Sequence, residues 1–236
     1  MKCVFFRLLF VCIFSYGSFA FSQDAVELDI PKNKYGLELI ESIELYQKTV
    51  ELDSSKILVD LKDFIPGIIL DIRYATPNNF TGEKVYESSK AFLRIEAAKA
   101  LRNAEKELNE LGYGLKIFDA YRPYSATLKF YKIVEDKSFV ATPWHGSRHN
   151  RACAVDVTLI NINTGEELKM PTAFDDFTEK AAADYPYLSD EALKNRKLLI
   201  DVMRKHGFRV FASEWWHYDF IGWKKYELLN IDHEDF

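Results

Sequence analysis

The run Ala152-Cys153-Ala154-Val155-Asp156-Val157-Thr158-Leu159-Ile160 reads as a buried strand, except that an aspartate stands in its middle. A lone carboxylate in so apolar a segment is costly to bury unpaired, which points to a cation beside Asp156. The plain alternative is a strand-edge carboxylate meeting solvent or an arginine. His149 lies seven positions upstream, a span of about 23 Å if extended. The two side chains can share an ion only if residues 150–153 fold back as a turn. Asp156 would then face away from Val155, Val157 and Leu159.

A second polar group sits near the other end, in Glu214-Trp215-Trp216-His217. Residues three apart on a regular strand face opposite sides. Glu214 and His217 can therefore cooperate only if Glu214 lies in a turn and the strand begins near Trp216. Taken alone, this segment reads more simply as an aromatic strand with incidental polar residues. Taken with His149 and Asp156, it completes two imidazoles and a carboxylate, leaving one coordination position open. That is the donor set of a catalytic zinc, whereas a structural zinc closes all four positions. Glu214 remains free to accept a proton from water that such an ion acidifies.

The chain's 236 residues and 48% apolar content suit one sizeable domain or two small ones and exclude a disordered chain. No disulfide is needed for a core of that size. A net charge of -5 without a basic block gives no support for nucleic-acid binding. Residues 1–22 differ in kind: Lys2 and Arg7 precede or interrupt an apolar run from Val4 to Phe14, followed by Ser18-Phe19-Ala20. This is the pattern of an export signal over 1–20 cleaved near Ala20, with a periplasmic mature chain. The run is short for a membrane span and is interrupted by Arg7, so export with cleavage is the expectation and a retained anchor the alternative. Val11 before Cys12 is larger than a lipoprotein signal normally accepts. Cleavage leaves Cys153 alone, so the mature chain has no internal disulfide.

The mature chain, 21–236, is expected to begin with an arm or short helix over about 21–55, carrying Leu37, Leu39, Ile40, Ile43 and Leu45. Strands are expected over Ile57–Leu61 and Ile68–Tyr74, split by Pro66-Gly67. The spacing of Ala97, Leu101, Ala104, Leu108 and Leu111 predicts a helix over Phe92–Leu111, ended by Gly112 and Gly114. A strand over Leu115–Ala120, a helix over Ser125–Glu135 and a strand over Ala152–Ile160 follow. A helix over Glu191–His206 and strands over Phe208–Phe211 and Trp216–Ile221 finish the chain. No repeat or long linker divides it, so a single α+β domain is expected, with a mainly antiparallel central sheet flanked by helices.

Several blocks in order resemble the VanX-type D-alanyl-D-alanine dipeptidases, zinc D,D-peptidases whose fold is shared with hedgehog domains. They are Arg73-Tyr74-Ala75-Thr76 with Asn79-Phe80-Thr81-Gly82, Asp119-Ala120-Tyr121-Arg122-Pro123, the Ser147–Asp156 segment, Met170–Phe177 and Glu214–His217. The resemblance implies one Zn2+ held by His149, Asp156 and His217, with Glu214 as catalytic base and Arg122 stabilising the oxyanion. It implies that Asp175 receives the dipeptide's amino group and that Ser147 and Tyr74 line the substrate pocket. The implied substrate is a small D,D-dipeptide, D-Ala-D-Ala. A D,D-carboxypeptidase acting on peptidoglycan stems and a non-catalytic zinc-stabilised binding domain are the rival readings. Asp175 and Asp176 also suit a helix start.

The family pattern carries a glycine where this chain has Ala152, which adds strain if that backbone is left-handed. Cys153 is read as a small buried filler. His145 is expected in an exposed loop, His206 at a helix end and His233 in an acidic tail. Trp215 and Trp216 are read as packing residues.

Overall fold

The computed structural model describes residues 28–236; the expected export signal lies outside the described residues. The N-terminal arm is part of the fold. Strand β1 (Leu39–Ile40) leads into helix α1 (Ile43–Leu52), whose first turn is capped by the Ser42 hydroxyl accepting from Leu45 N. Strand β2 (Leu58–Asp60), helix α2 (Leu61–Phe64) and strand β3 (Ile69–Leu70) occupy the region where two longer strands were expected. Tyr74 lies beyond β3, in a 3-10 turn over Arg73–Ala75. The expected Phe92–Leu111 helix begins later: Phe92–Arg94 is strand β4, antiparallel to β2, and helix α3 runs Ile95–Glu110. Its stripe of Ala97, Leu101, Ala104 and Leu108 is buried, whereas Leu111 caps the helix and is exposed.

Strand β5 (Tyr113–Asp119), helix α4 (Tyr124–Ile133) and strand β6 (Ala154–Asn161) come next. Helix α5 (Asp190–Lys205) carries acids in its first turn and Arg204 and Lys205 in its last, each suited to the helix dipole. Gly207, at φ 85°, lets the chain turn out of it. Strands β7 (Phe208–Phe211), β8 (Glu214–Phe220) and β9 (Leu228–Leu229) complete the chain. The main sheet has the order β3-β5-β6-β8-β7. Only the β3–β5 pair is parallel.

Val155, Val157 and Leu159 of β6 face the core and are fully buried, each contributing roughly 1.5–3 kcal/mol. Glu105 of α3 can be buried because its carboxylate accepts from Leu115 N at 2.7 Å and from Asn109. Gly114 leaves room for it, since a Cβ there would stand 3.2 Å from Glu105 Oε1.

The C-terminal segment packs against the N-terminal arm. Strand β9 pairs in parallel with β1, and Phe236 packs on Tyr46, Phe92 and Tyr121. His233 lies in the acidic C-terminal segment as expected, but it is buried against Tyr86, Phe92 and Tyr121, with Nε2 3.1 Å from Tyr121 O. Among the described residues, no helix is long and apolar enough to cross a membrane.

Candidate metal centre

Two departures from regular strand pairing assemble the site. Between β5 and β6 the register shifts, so that Ile117 opposes Val157 while Asp119 opposes Asp156. Between β7 and β8, Val210 opposes Tyr218 while Phe211 opposes Glu214. Trp215 to His217 therefore bulge past one peptide step of β7, and the alternation of sides is broken there. Glu214 is the first residue of β8 rather than a turn residue, yet Glu214 Oε2 comes within 3.8 Å of His217 Nδ1. On the other edge of β8 pairing is regular and sets Asp156 directly opposite His217. Asp119, Asp156 and His217 thus form a row across β5, β6 and β8.

His149 reaches that row through the fold-back the sequence requires. Residues His149–Arg151 make a 3-10 turn, and Ala152 reverses the chain in the left-handed region at φ 53°, ψ 40°. The reversal is held by Ala152 N to His149 O and Cys153 N to Arg148 O, each 3.0 Å. Gly146, at φ 68°, lies so close to Leu228 that a Cβ would approach its side chain to 2.8 Å. Ser147 Oγ accepts from His149 N at 3.2 Å, and Asn150 Nδ2 donates to Arg122 O at 2.9 Å.

His149, Asp156 and His217 place one ligand atom each within 4.8 Å of one another. Asp156 Oδ1 is 3.4 Å from His149 Nε2 and 3.1 Å from His217 Nδ1, and the two nitrogens are 3.1 Å apart. The ring atoms behind them fix the protons. His149 Nδ1 faces the Ala120 carbonyl at 2.6 Å and must donate to it. His217 Nε2 faces Asp219 Oδ1 at 2.9 Å and donates likewise. Lone pairs of Nε2 and Nδ1 then converge on Asp156 Oδ1, a buried oxygen with no hydrogen bond among the described residues. Burial opposes a charged His217, but Asp156 and Asp219 outweigh it and hold the ring well above its ordinary pKa, so that without a metal a proton on Nδ1 supplies the positive charge that a bound ion would displace. The cluster calls for positive charge at its centre, and its donors fit a zinc ion.

Around it stand the other expected residues. Burial pushes Glu214 up to about 7. Arg122 donates through Nε and Nη2 to Asp119 Oδ2, at 3.0 and 2.8 Å, and its Nη2 is 3.7 Å from Asp156 Oδ2. It thereby bridges two carboxylates that the strand register forces together, and it stacks on Tyr74 and Phe130. Asp175 is not at a helix start: it sits in a turn at φ 60°, a strained geometry for a residue other than glycine. Tyr74 OH lies 3.1 Å from each of its oxygens. Burial, reinforced by Asp156, holds Asp175 well above the carboxylate range. All eight expected site residues line one cavity of about 110 Å³, walled by Phe80, Phe130, Phe139, Phe177 and Trp216.

The chain matches the Peptidase_M15 family, described as D-ala-D-ala dipeptidase, over residues 54–236. It belongs to that family. The D-alanyl-D-alanine dipeptidase of Escherichia coli (strain K12) is 34% identical over 172 residues, covering 73% of this chain and 89% of the relative. That of Enterococcus faecalis (strain ATCC 700802 / V583) is 32% identical over 181 residues, covering 68% and 90%. The Enterococcus faecium enzyme of the same name is 30% identical over 178 residues, covering 67% and 88%.

Within this M15 chain, two carboxylates received no role from the sequence. Asp119 holds Arg122 and accepts from Tyr86 OH at 3.2 Å; its place three residues before Arg122 was the available signal. Asp219 backs His217, and a position two further along a strand shares its side. Cys153 is buried, its thiol pushed up to about 12 by burial, and is not one of the clustered ligands. His145 is exposed, and His206 pairs with Glu107 at 2.7 Å. Trp215 and Trp216 are both buried.

Proposed function

We propose that this chain hydrolyses D-alanyl-D-alanine to two D-alanines, with one zinc ion held by His149, Asp156 and His217. The observation that carries the reading is the convergence of three ligand atoms, from buried His149 and Asp156 and part-buried His217, in a small pocket that also holds Glu214 and Asp175. Zinc bound there would act as a Lewis acid, polarising the scissile carbonyl and acidifying a water. Glu214 takes a proton from the attacking water and returns it to the leaving amine as the C–N bond breaks. Its burial suits both steps, since a carboxylate near neutrality can hold and release a proton. Arg122 offers permanent donors to the oxygen on which charge develops. Asp175, steadied by Tyr74, receives the substrate's ammonium group; a cation brought against it would favour the ionised carboxylate that burial disfavours. Ser147 closes the pocket beside His149.

The export pattern of residues 1–20 supports a periplasmic enzyme that turns over wall-derived dipeptide. The test is a cleavage panel on the zinc-loaded protein: D-Ala-D-Ala, its N-acylated form, a stem peptide and L-Ala-L-Ala. Free D-Ala-D-Ala should be the preferred substrate, because acylation removes the charge that Asp175 awaits. Preference for the stem peptide would replace this reading with a D,D-carboxypeptidase, and zinc binding without any hydrolysis would leave a binding domain.

A further inference from the structure

Both imidazoles of the metal centre are committed to one tautomer from behind, but by different kinds of acceptor. His149 leans on a backbone carbonyl, that of Ala120, which no side-chain substitution removes. His217 leans on a side chain, Asp219, two residues on along the regular part of β8. The second carboxylate oxygen, Asp219 Oδ2, is 3.5 Å from Arg148 Nε. Arg148 immediately precedes His149, and its guanidinium stacks 4.9 Å from the Trp223 ring centre. Its Nε is buried and has no hydrogen bond among the described residues. The carboxylate of Asp219 is therefore set between a ring N–H and a guanidinium N–H, each wanting an acceptor.

We propose that Asp219 is a positioning residue for the metal, keeping the His217 proton on Nε2 so that the Nδ1 lone pair faces Asp156 and His149. Arg148 orients the acceptor from its other side. The inference rests on reading His149, Asp156 and His217 as a zinc site.

Replacing Asp219 by asparagine separates the carboxylate's two tasks. An amide has one acceptor end, and the Arg148 guanidinium draws the oxygen to its own side. The NH2 group then turns to His217 Nε2, which can accept only if the ring proton moves to Nδ1, the ligand atom. Zinc affinity of the purified protein, read by competition with a chromophoric chelator, should weaken about 10–100-fold in Asp219→Asn. The melting temperature of the metal-free variant should match wild type. The double variant Asp219→Asn/Arg148→Met, which lets the amide oxygen turn to the ring, should recover part of the lost affinity. Asp219→Asn binding zinc as tightly as wild type overturns the assignment. So does a loss of affinity matched by a lower melting temperature of the metal-free protein, which would make Asp219 a folding residue only. Wild-type protein that binds no zinc overturns the site reading along with it, whereas zinc-binding wild type with an indifferent Asp219→Asn overturns this inference alone.

Discussion

Burial governs how Glu214 behaves as a residue. Its carboxyl is pushed up to about 7 in the metal-free protein. A dication bound beside it favours the ionised form and draws that value down. A base works only when ionised, so kcat/KM should fall as pH drops through a value below 7. An acidic limb centred above 7 in a pH-rate profile would remove Glu214 from that role. Glu214→Gln should lower kcat by about 10²–10⁴-fold while the zinc content, measured by mass spectrometry, stays at wild type. Ala152 makes a separate prediction, because its left-handed backbone and its buried methyl pull in opposite directions. Glycine there relieves about 1–2 kcal/mol of backbone strain but loses a buried methyl worth about 0.8 kcal/mol and gains unfolded-state freedom. Urea denaturation should place Ala152→Gly within about 1 kcal/mol of wild type. Ala152→Val, β-branched in the same conformation, should lose at least about 2 kcal/mol.

At the level of elements, much of the fold could be read ahead because helices and buried strands leave strong periodic signals. The stripe of α3 and the apolar run of β6 are examples. The helical spacing that begins at Ala97 leaves the helix start open, and tertiary pairing with β2 makes Phe92–Arg94 a strand. The candidate site was legible as residue types, since few reasons exist for an aspartate in the middle of β6. Its assembly was not, because the shifts opposite Asp156 and Glu214 depend on strand pairing rather than on local pattern. His233 escaped for a similar reason: its acidic neighbours suggest solvent, while pairing of β9 with β1 carries it inward. That pairing carries a prediction. Leu229 is fully buried beside Ile40 and Tyr121, so Leu229→Ala should lose about 2–5 kcal/mol in chemical denaturation of the metal-free protein.

For the molecule as a whole, the metal is expected to act as a fastener as well as a reagent. The three ligands proposed for it come from β8, from β6 and from the turn that precedes β6, and β8 is distant in sequence from the other two. An ion that binds only the native arrangement stabilises it by about 2.7 kcal/mol at a concentration 100-fold above its Kd. For a chain of this size that corresponds to roughly 5–10 °C in melting temperature. Differential scanning fluorimetry with and without chelator should show that difference, and the Asp156→Asn variant should lose most of it.

The direct opposition of Asp156 and His217 has one more consequence. Sliding β6 against β8 by a single residue would bring Val155 or Val157 to the place of the aspartate and turn the carboxylate toward apolar neighbours. Such a misthreaded chain could not hold the ion at all. With zinc held as proposed, its uptake would be a census of correctly zipped molecules, and the loaded fraction of a refolded preparation should report how many strands found their proper partners.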